Sequence, residues 1–137
     1  MASGQSVAHE IRPAVADLSI TSATAQDQSL GRLVIIIDFN VEMFLADLDA
    51  SVVSNTDDAQ QGEDYDAYRR LSVADLSSHF KKQWPRFAAS LVGRAGREAL
   101  AFQLGGIEVE NNADLSLPRS SKVSIYSSLP DNNSPIE

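Results

Sequence analysis

Cysteine is absent from the 137-residue sequence, which excludes disulfides and thiolate metal sites. The chain also has only two histidines, one tryptophan and fewer basic residues (11) than acidic ones (19). The resulting net charge of −8 disfavours non-specific binding to nucleic acid or to anionic lipid. The longest apolar run, residues 33–37, is far too short to span a membrane, so no membrane partner is expected.

A chain of this length is expected to form one domain with a core of its own. The opening residues lack the apolar core of a signal peptide, and a cysteine-free chain suits a reducing cytosol, so we expect a cytoplasmic protein. Small and polar residues predict disorder at 1–8 and in the tail 127–137. The domain is therefore expected at 9–126, interrupted by a mobile acidic loop at 54–66.

The strongest strand signal is the apolar segment 33–39, which contains three consecutive isoleucines. A continuous β-branched run is typical of a strand buried on both faces, so helices or other layers are expected on both of its sides. The earlier segment 7–18 has apolar residues at near-helical spacing but also contains Pro13. It is predicted to be a short helix or an edge strand.

Two amphipathic helices are predicted after this strand. Apolar residues at positions i, i+3, i+4, i+7 and i+11 mark one face of a helix at 41–53, with Asn40 as its cap and Glu42 in its first turn. A second helical pattern extends over 73–104 and ends at a Gly-Gly pair, and Pro85 within it either kinks the helix or opens a second one at its first position.

Short stretches of alternating apolar and polar residues at 107–110, 115–118 and 122–129 predict strands near the C-terminus. Together these elements indicate a small α/β or α+β domain. Its central buried strand is 33–39, and the two predicted helices cover that strand.

Asp38 ends the apolar strand and is followed by Asn40 and Glu42, all with side-chain oxygens of the kind that Mg²⁺ and Mn²⁺ prefer. Open α/β sheets bind ligands at the carboxyl ends of their strands, which is where Asp38 is expected. The segment "VIIIDFNVEMFLADL" resembles the opening of PIN-domain nucleases, an apolar strand ending in Asp-x-Asn-Val and followed by an amphipathic helix. The resemblance implies a parallel sheet and a catalytic divalent metal held in part by Asp38.

The rest of the chain departs from that family. PIN domains usually begin near this strand, whereas here the strand begins at residue 33. The other acids lie in the predicted loop, on helices or on a solvent-facing strand: Glu63, Asp64, Asp66, Asp75, Glu98, Glu108 and Glu110. The alternative is structural, with Asp38 interacting with N–H groups at the start of the following helix, and we favour this alternative because short motifs are common.

Seven of the eleven basic residues lie between positions 69 and 97. If residues 82–102 form one helix, the basic side chains share a stripe and an aromatic residue lies beside it. The candidate partner-binding residues are Lys82, Arg86, Arg94, Arg97 and Trp84. The stripe would suit an acidic protein or, less favoured, nucleic acid, and the alternative is a solvated helix face.

No catalytic set is recognisable, because His9 and His79 lack metal-ligand spacing and no phosphate loop or nucleophile elbow is present. We therefore predict no cofactor and a non-enzymatic protein-binding or assembly protein. It would be an accessory or structural component or a small acidic chaperone, of the kind that serves viral or other large particles. The expected partner is a protein, first of all a second copy of the chain, because small residues on the second predicted helix suit close packing. The alternative function is a PIN-like metal-dependent nuclease that uses Asp38 and Glu42.

Overall fold

The computed structural model of the chain describes residues 13–21, 31–48 and 62–129. The elements in these ranges are β1 (Val15–Thr21), β2 (Arg32–Phe39), α1 (Val41–Leu45), α2 (Gly62–Arg69), α3 (Val73–Ala89), β3 (Arg94–Ala95), β4 (Glu98–Ala99), β5 (Gln103–Val109) and β6 (Ser121–Ser128). Four strands form an antiparallel sheet in the order β1-β2-β6-β5, while β3 and β4 form a separate hairpin. The predicted mixture of helices and strands in one small domain is confirmed.

The core lies between one face of the sheet and the helices. Successive side chains of a strand point to opposite faces, and the odd-numbered residues of β6 are buried from Ser121 to Ser127. Val123 and Ile125 pack in one cluster with Phe80 and Phe87 of α3. This cluster also takes in apolar residues of α1, so α1 and α3 cover the same face of the sheet.

Segment 33–39 lies within β2, an interior strand, but burial on both of its faces is not confirmed. Leu33 on the helix-covered face is 2% exposed, whereas Ile36 on the opposite face is 41% exposed. A continuous apolar run does not distinguish a strand covered on both faces from one that also carries apolar residues on its open face. The alternation that marks one-sided burial is hidden here by the three isoleucines.

Helix α1 ends at Leu45 instead of continuing to residue 53 as predicted. Asp47 adopts a left-handed φ of 55°, which stops the helix. The Leu48 N–H donates to the Met43 carbonyl and the Asp47 N–H to the Phe44 carbonyl, which is the Schellman arrangement. Leu48 and Met43 also share a buried cluster, so an apolar contact supports the cap. The rest of the predicted helix, 49–53, lies outside the described residues.

Residues 62–66, expected in the acidic loop, form the first part of α2. Glu63 and Asp64 stand in its first turn, where the helix dipole favours negative charge. Tyr65 is completely buried, and its hydroxyl accepts a hydrogen bond from the Asn40 amide at 3.0 Å. Burial raises the pKa of Tyr65 above its ordinary value, and the Asn40 hydrogen bond acts in the opposite direction. The loop prediction therefore missed a buried aromatic anchor within an acidic stretch.

Helix α3 passes through Pro85 and ends at Ala89, which corrects the prediction that helical structure, kinked or divided at Pro85, extends over 73–104. Residues 94–99 form the β3–β4 hairpin instead, with Gly96 at a left-handed φ of 62° in its turn. A Cβ at Gly93 would lie 2.8 Å from the ring of Phe102, so a glycine allows the chain to turn back there. The helical spacing of apolar residues after Ala89 was therefore coincidental.

The C-terminal strands differ from the prediction mainly in their limits. Strand β5 begins at Gln103 rather than at 107, and β6 closely matches the predicted strand 122–129. Segment 115–118 lies in the connection between β5 and β6 and not in a strand. The Leu129 N–H donates to the Gly31 carbonyl at 2.7 Å, so regular structure extends beyond residue 126 into the predicted tail. Residues 1–8 and 130–137 lie outside the described ranges.

Candidate functional site

Strand β1 is an edge strand of the described sheet, which is one of the two alternatives predicted for segment 7–18, and residues 7–12 of that segment lie outside the described ranges. Its seven residues pair with β2 from Val15–Asp38 to Thr21–Arg32 without a register shift. No described strand pairs with its other side. Alternate N–H and C=O groups of an edge strand point away from the sheet, so β1 presents a regular template on which a further strand can pair.

The apolar face of the sheet continues onto β1 beyond the helices. Leu18 pairs with Ile35 and Ile20 pairs with Leu33, so both side chains lie on the helix-covered face. They are nevertheless 62% and 57% exposed, whereas Leu33 is 2% exposed. Of the described strands, β5 at the opposite edge of the sheet packs most extensively against α3, and the described helices leave Leu18 and Ile20 of β1 exposed.

The other edge of the sheet is built differently. Strand β5 carries a register shift between Leu104 and Gly106, and its outward residues include the exposed Glu108. Bulges and charges of this kind keep an edge from pairing with other chains. Strand β1 has no shift, and its only charged residue is Asp17. Of the two edges of the described sheet, β1 is therefore the more regular one.

Asp38 lies near the end of β2 on the open face of the sheet. It accepts a hydrogen bond from the Ser120 hydroxyl at 2.5 Å and pairs across the ladder with Lys122. The role of accepting from the helix N-terminus, which the structural alternative gave to Asp38, belongs to Asn40, whose Oδ1 accepts from the Met43 N–H. Asp38 lines a shallow depression with Glu108 and Glu110, but no three His, Cys, Asp or Glu side chains in the described ranges are placed to hold a metal ion.

Glu42, the second candidate metal ligand, has a partner of its own. Its side chain is completely buried, and Oε1 accepts from Arg119 Nε at 2.7 Å. Arg119 also donates to the carbonyl oxygens of Leu71 and Tyr68. Glu42 therefore ties the start of α1 to the α2–α3 connection and to the segment before β6, and it is not gathered with Asp38.

A second buried arginine completes this polar layer. Arg69, at the end of α2, is 2% exposed and donates to three carbonyl oxygens in the β5–β6 connection: those of Asn112, Asp114 and Leu117. In the same connection, hydrogen bonds from the Ser116 hydroxyl and N–H hold the pKa of Asp114 below its usual value. Sequence reasoning missed both buried arginines, because their partners are mostly backbone carbonyls far away in the chain and arginine is usually exposed.

The five candidate partner-binding residues do not form one helical stripe. Lys82, Trp84 and Arg86 lie on α3, whereas Arg94 is in β3 and Arg97 is in the hairpin turn.

Two of these residues have structural contacts. Arg86 pairs with Asp47, donates to the Phe44 carbonyl and lies 4.3 Å from the centre of the Phe44 ring. Trp84 is half-buried against Phe80 and Phe87. These contacts join α3 to the C-terminal end of α1, so part of the predicted binding set contributes to the fold.

Compared with protein-family models, with curated proteins and with solved structures, the chain shows no significant match. The parallel sheet that the PIN-domain resemblance implies differs from the antiparallel sheet of this chain. None of the described helices has the length and the apolar character needed to cross a membrane.

Proposed function

We propose that this chain is a non-enzymatic protein-binding or assembly protein and that it docks its protein partner on the free edge of β1. The observation that carries the proposal is the combination of a regular strand edge, with which no described strand pairs, and two exposed apolar side chains, Leu18 and Ile20, on its core-facing side. An accessory or structural role in a larger particle, or a small acidic chaperone, agrees with such an edge. A cysteine-free composition suits the cytoplasm, which is the location we propose.

Strand addition supplies both affinity and specificity. Main-chain hydrogen bonds along the edge bind an added strand, and contacts with alternate side chains of that strand determine which sequences bind. Burial of Leu18 and Ile20 would add to this, since fully burying one such side chain contributes about 1.5–3 kcal/mol. The two side chains are already partly covered, so their contribution is a fraction of that amount.

The acidic character of the chain limits the class of partner that it is expected to bind. A net charge of −8 disfavours nucleic acid, and the basic residues expected to form a binding stripe lie on separate elements. The nuclease alternative gains no support from the antiparallel sheet or from the separate partners of Asp38 and Glu42. A protein segment in an extended conformation is the occupant that the β1 edge suits.

A peptide library displayed on phage and selected against the full chain at low surface density tests this proposal. The selected peptides are then measured against Leu18→Lys, which places a charge on the core-facing side of the edge, and against Gln103→Lys, a matched charge on the β5 edge. We expect binding to be lost with Leu18→Lys and retained with Gln103→Lys. Peptides that bind Leu18→Lys as well as they bind the unmodified chain would show that β1 is not a docking edge.

A further inference from the structure

We infer, on the basis of the docking edge proposed above, that its occupant is β1 of a second copy of the chain. The two strands pair antiparallel about a two-fold axis that passes through the Leu18 pair. Two four-stranded sheets then become one continuous sheet of eight strands. The inference rests on the side-chain pattern of the strand, which is complementary to itself in this register.

The register is fixed by length and by charge. Pairing Leu18 with the partner's Leu18 places all seven residues of β1 opposite a partner residue. Asp17 then faces the partner's Ser19 instead of another acid. A shift by two residues in one direction pairs Asp17 with the partner's Asp17, and like charges directly opposite each other are destabilising. The same shift in the other direction leaves Val15 and Ala16 without partners.

The faces of the two strands also match in this register. Leu18 meets the partner's Leu18, and Ala16 and Ile20 meet the partner's Ile20 and Ala16, all on the helix-covered side of the joined sheet. A shift by one residue would place residues of the helix-covered face opposite residues of the open face, with Leu18 opposite the partner's Asp17 or Ser19. The pairing therefore covers the two residues, Leu18 and Ile20, that the chain's own helices leave exposed.

The other edge is a poor partner for β1. Strand β5 is shifted in register at Leu104–Gly106, so its outward backbone groups do not follow the even spacing of a regular strand. Pairing of β1 with β5 of another copy would also be head-to-tail and would produce rings or open filaments instead of a two-fold dimer. Symmetric pairing through β1 uses the regular edge of both copies and leaves both bulged edges outside.

The charge of the chain gives the dimer a characteristic response to salt. Each copy carries a net charge of −8, and the proposed register pairs no acid with a base. Salt screens the repulsion between two acidic copies over a Debye length of about 8 Å at physiological ionic strength. Dimerisation should therefore become tighter as salt increases, whereas an interface built on ion pairs would weaken.

Cysteine cross-linking tests the register, because the chain has no cysteine of its own. Single variants Leu18→Cys, Ser19→Cys and Gln103→Cys of the full chain are treated with an oxidant and, in parallel, with a short bismaleimide, so that capture does not depend on disulfide geometry. An equimolar mixture of Ala16→Cys and Ile20→Cys provides a second, independent pair. Sedimentation velocity at low and high salt accompanies the cross-linking.

We expect covalent dimers from Leu18→Cys and from the Ala16→Cys and Ile20→Cys mixture, with little from Gln103→Cys. Preferential capture of Ser19→Cys or Gln103→Cys, or a chain that is monomeric at every concentration and salt, would overturn the inference. If the chain is monomeric while binding of the phage peptides still depends on Leu18, the inference of a second copy is wrong and the proposal of a docking edge on β1 remains supported. If the peptides are also indifferent to Leu18, both proposals fail.

Discussion

Glu42 and Arg119 lie 77 positions apart in the sequence and form a buried ion pair, with 2.7 Å between Glu42 Oε1 and Arg119 Nε. The pair connects α1, which directly follows β2, with the segment that leads into β6, the neighbouring strand of the sheet. It thus links helices and sheet at one end of the domain.

Removing one member of this pair should destabilise the chain strongly. Glu42→Gln leaves the buried Arg119 without its counter-charge, which costs about 3–5 kcal/mol in comparable cases. Glu42 Oε2 is buried and has no hydrogen-bond partner among the described residues, so the pair is incompletely satisfied. Replacing both members by apolar residues, as in Glu42→Leu with Arg119→Met, should therefore cost less than Glu42→Gln alone. Urea unfolding measures the free energies of unfolding, and a double variant less stable than Glu42→Gln would contradict this view.

The chain should lose stability in alkali through Tyr65. Because burial raises the pKa of Tyr65, the folded chain keeps the phenol proton at pH values where the unfolded chain has released it. The stabilisation is complete below the unfolded pKa of about 10 and is lost as the pH rises through the folded pKa. Unfolding of the unmodified chain and of Tyr65→Phe should be compared at pH 8 and pH 11. Between pH 8 and pH 11 we expect the unmodified chain to lose more free energy of unfolding than Tyr65→Phe does. An equal loss in the two chains would exclude a buried phenol.

Asp47 allows a comparison of backbone strain with an exposed ion pair. Its left-handed conformation costs about 1–2 kcal/mol for most residues, less for asparagine and nothing for glycine. Its pair with Arg86 is exposed at both ends, and such pairs are worth about 0–1 kcal/mol. In thermal unfolding, Asp47→Gly should have the highest melting temperature of the three variants, Asp47→Asn the next and Asp47→Ala the lowest. If Asp47→Gly and Asp47→Ala are equally destabilised, the ion pair dominates and the strain argument is wrong.

The bulge in β5 offers a matched pair of adjacent glycines. A Cβ at Gly105 would overlap the Tyr126 ring, whereas nothing lies within 4 Å of a Cβ at Gly106. Gly105→Ala should therefore destabilise the chain by about 1–3 kcal/mol, the usual effect of overpacking, and Gly106→Ala should have little effect. Chemical unfolding of the two variants checks this. Adding Tyr126→Ser to Gly105→Ala should recover part of the loss, and equal effects at the two glycines would mean that the ring does not occupy this position.

Local pattern predicted the parts of the fold that depend on neighbouring residues. The alternation of β6, the cap at Asn40 and the apolar run of β2 all lead to elements at nearly the right positions. The prediction of helical structure at 73–104 was wrong beyond Ala89 because it gave more weight to the periodic spacing of apolar residues than to Gly93 and Gly96. In the structure Gly93 lies where a Cβ would meet the Phe102 ring, and Gly96 is in the hairpin turn.

The candidate site depends on longer-range relationships. Exposure of Leu18 and Ile20 follows from where α3 packs, and burial of Arg69 and Arg119 follows from carbonyl groups in distant loops. Neither relationship can be predicted from the local sequence around these residues. The expected basic stripe failed for the same reason, because it assumed a single helix through residues that the fold divides between α3 and a hairpin.

Sedimentation velocity over a range of concentrations tests most directly whether β1 binds a second copy. The full chain and Gln103→Lys should form dimers, and Leu18→Lys should remain monomeric with an unchanged circular dichroism spectrum. Dimers of Leu18→Lys as stable as those of the unmodified chain, or an unmodified chain that never dimerises, would contradict the account.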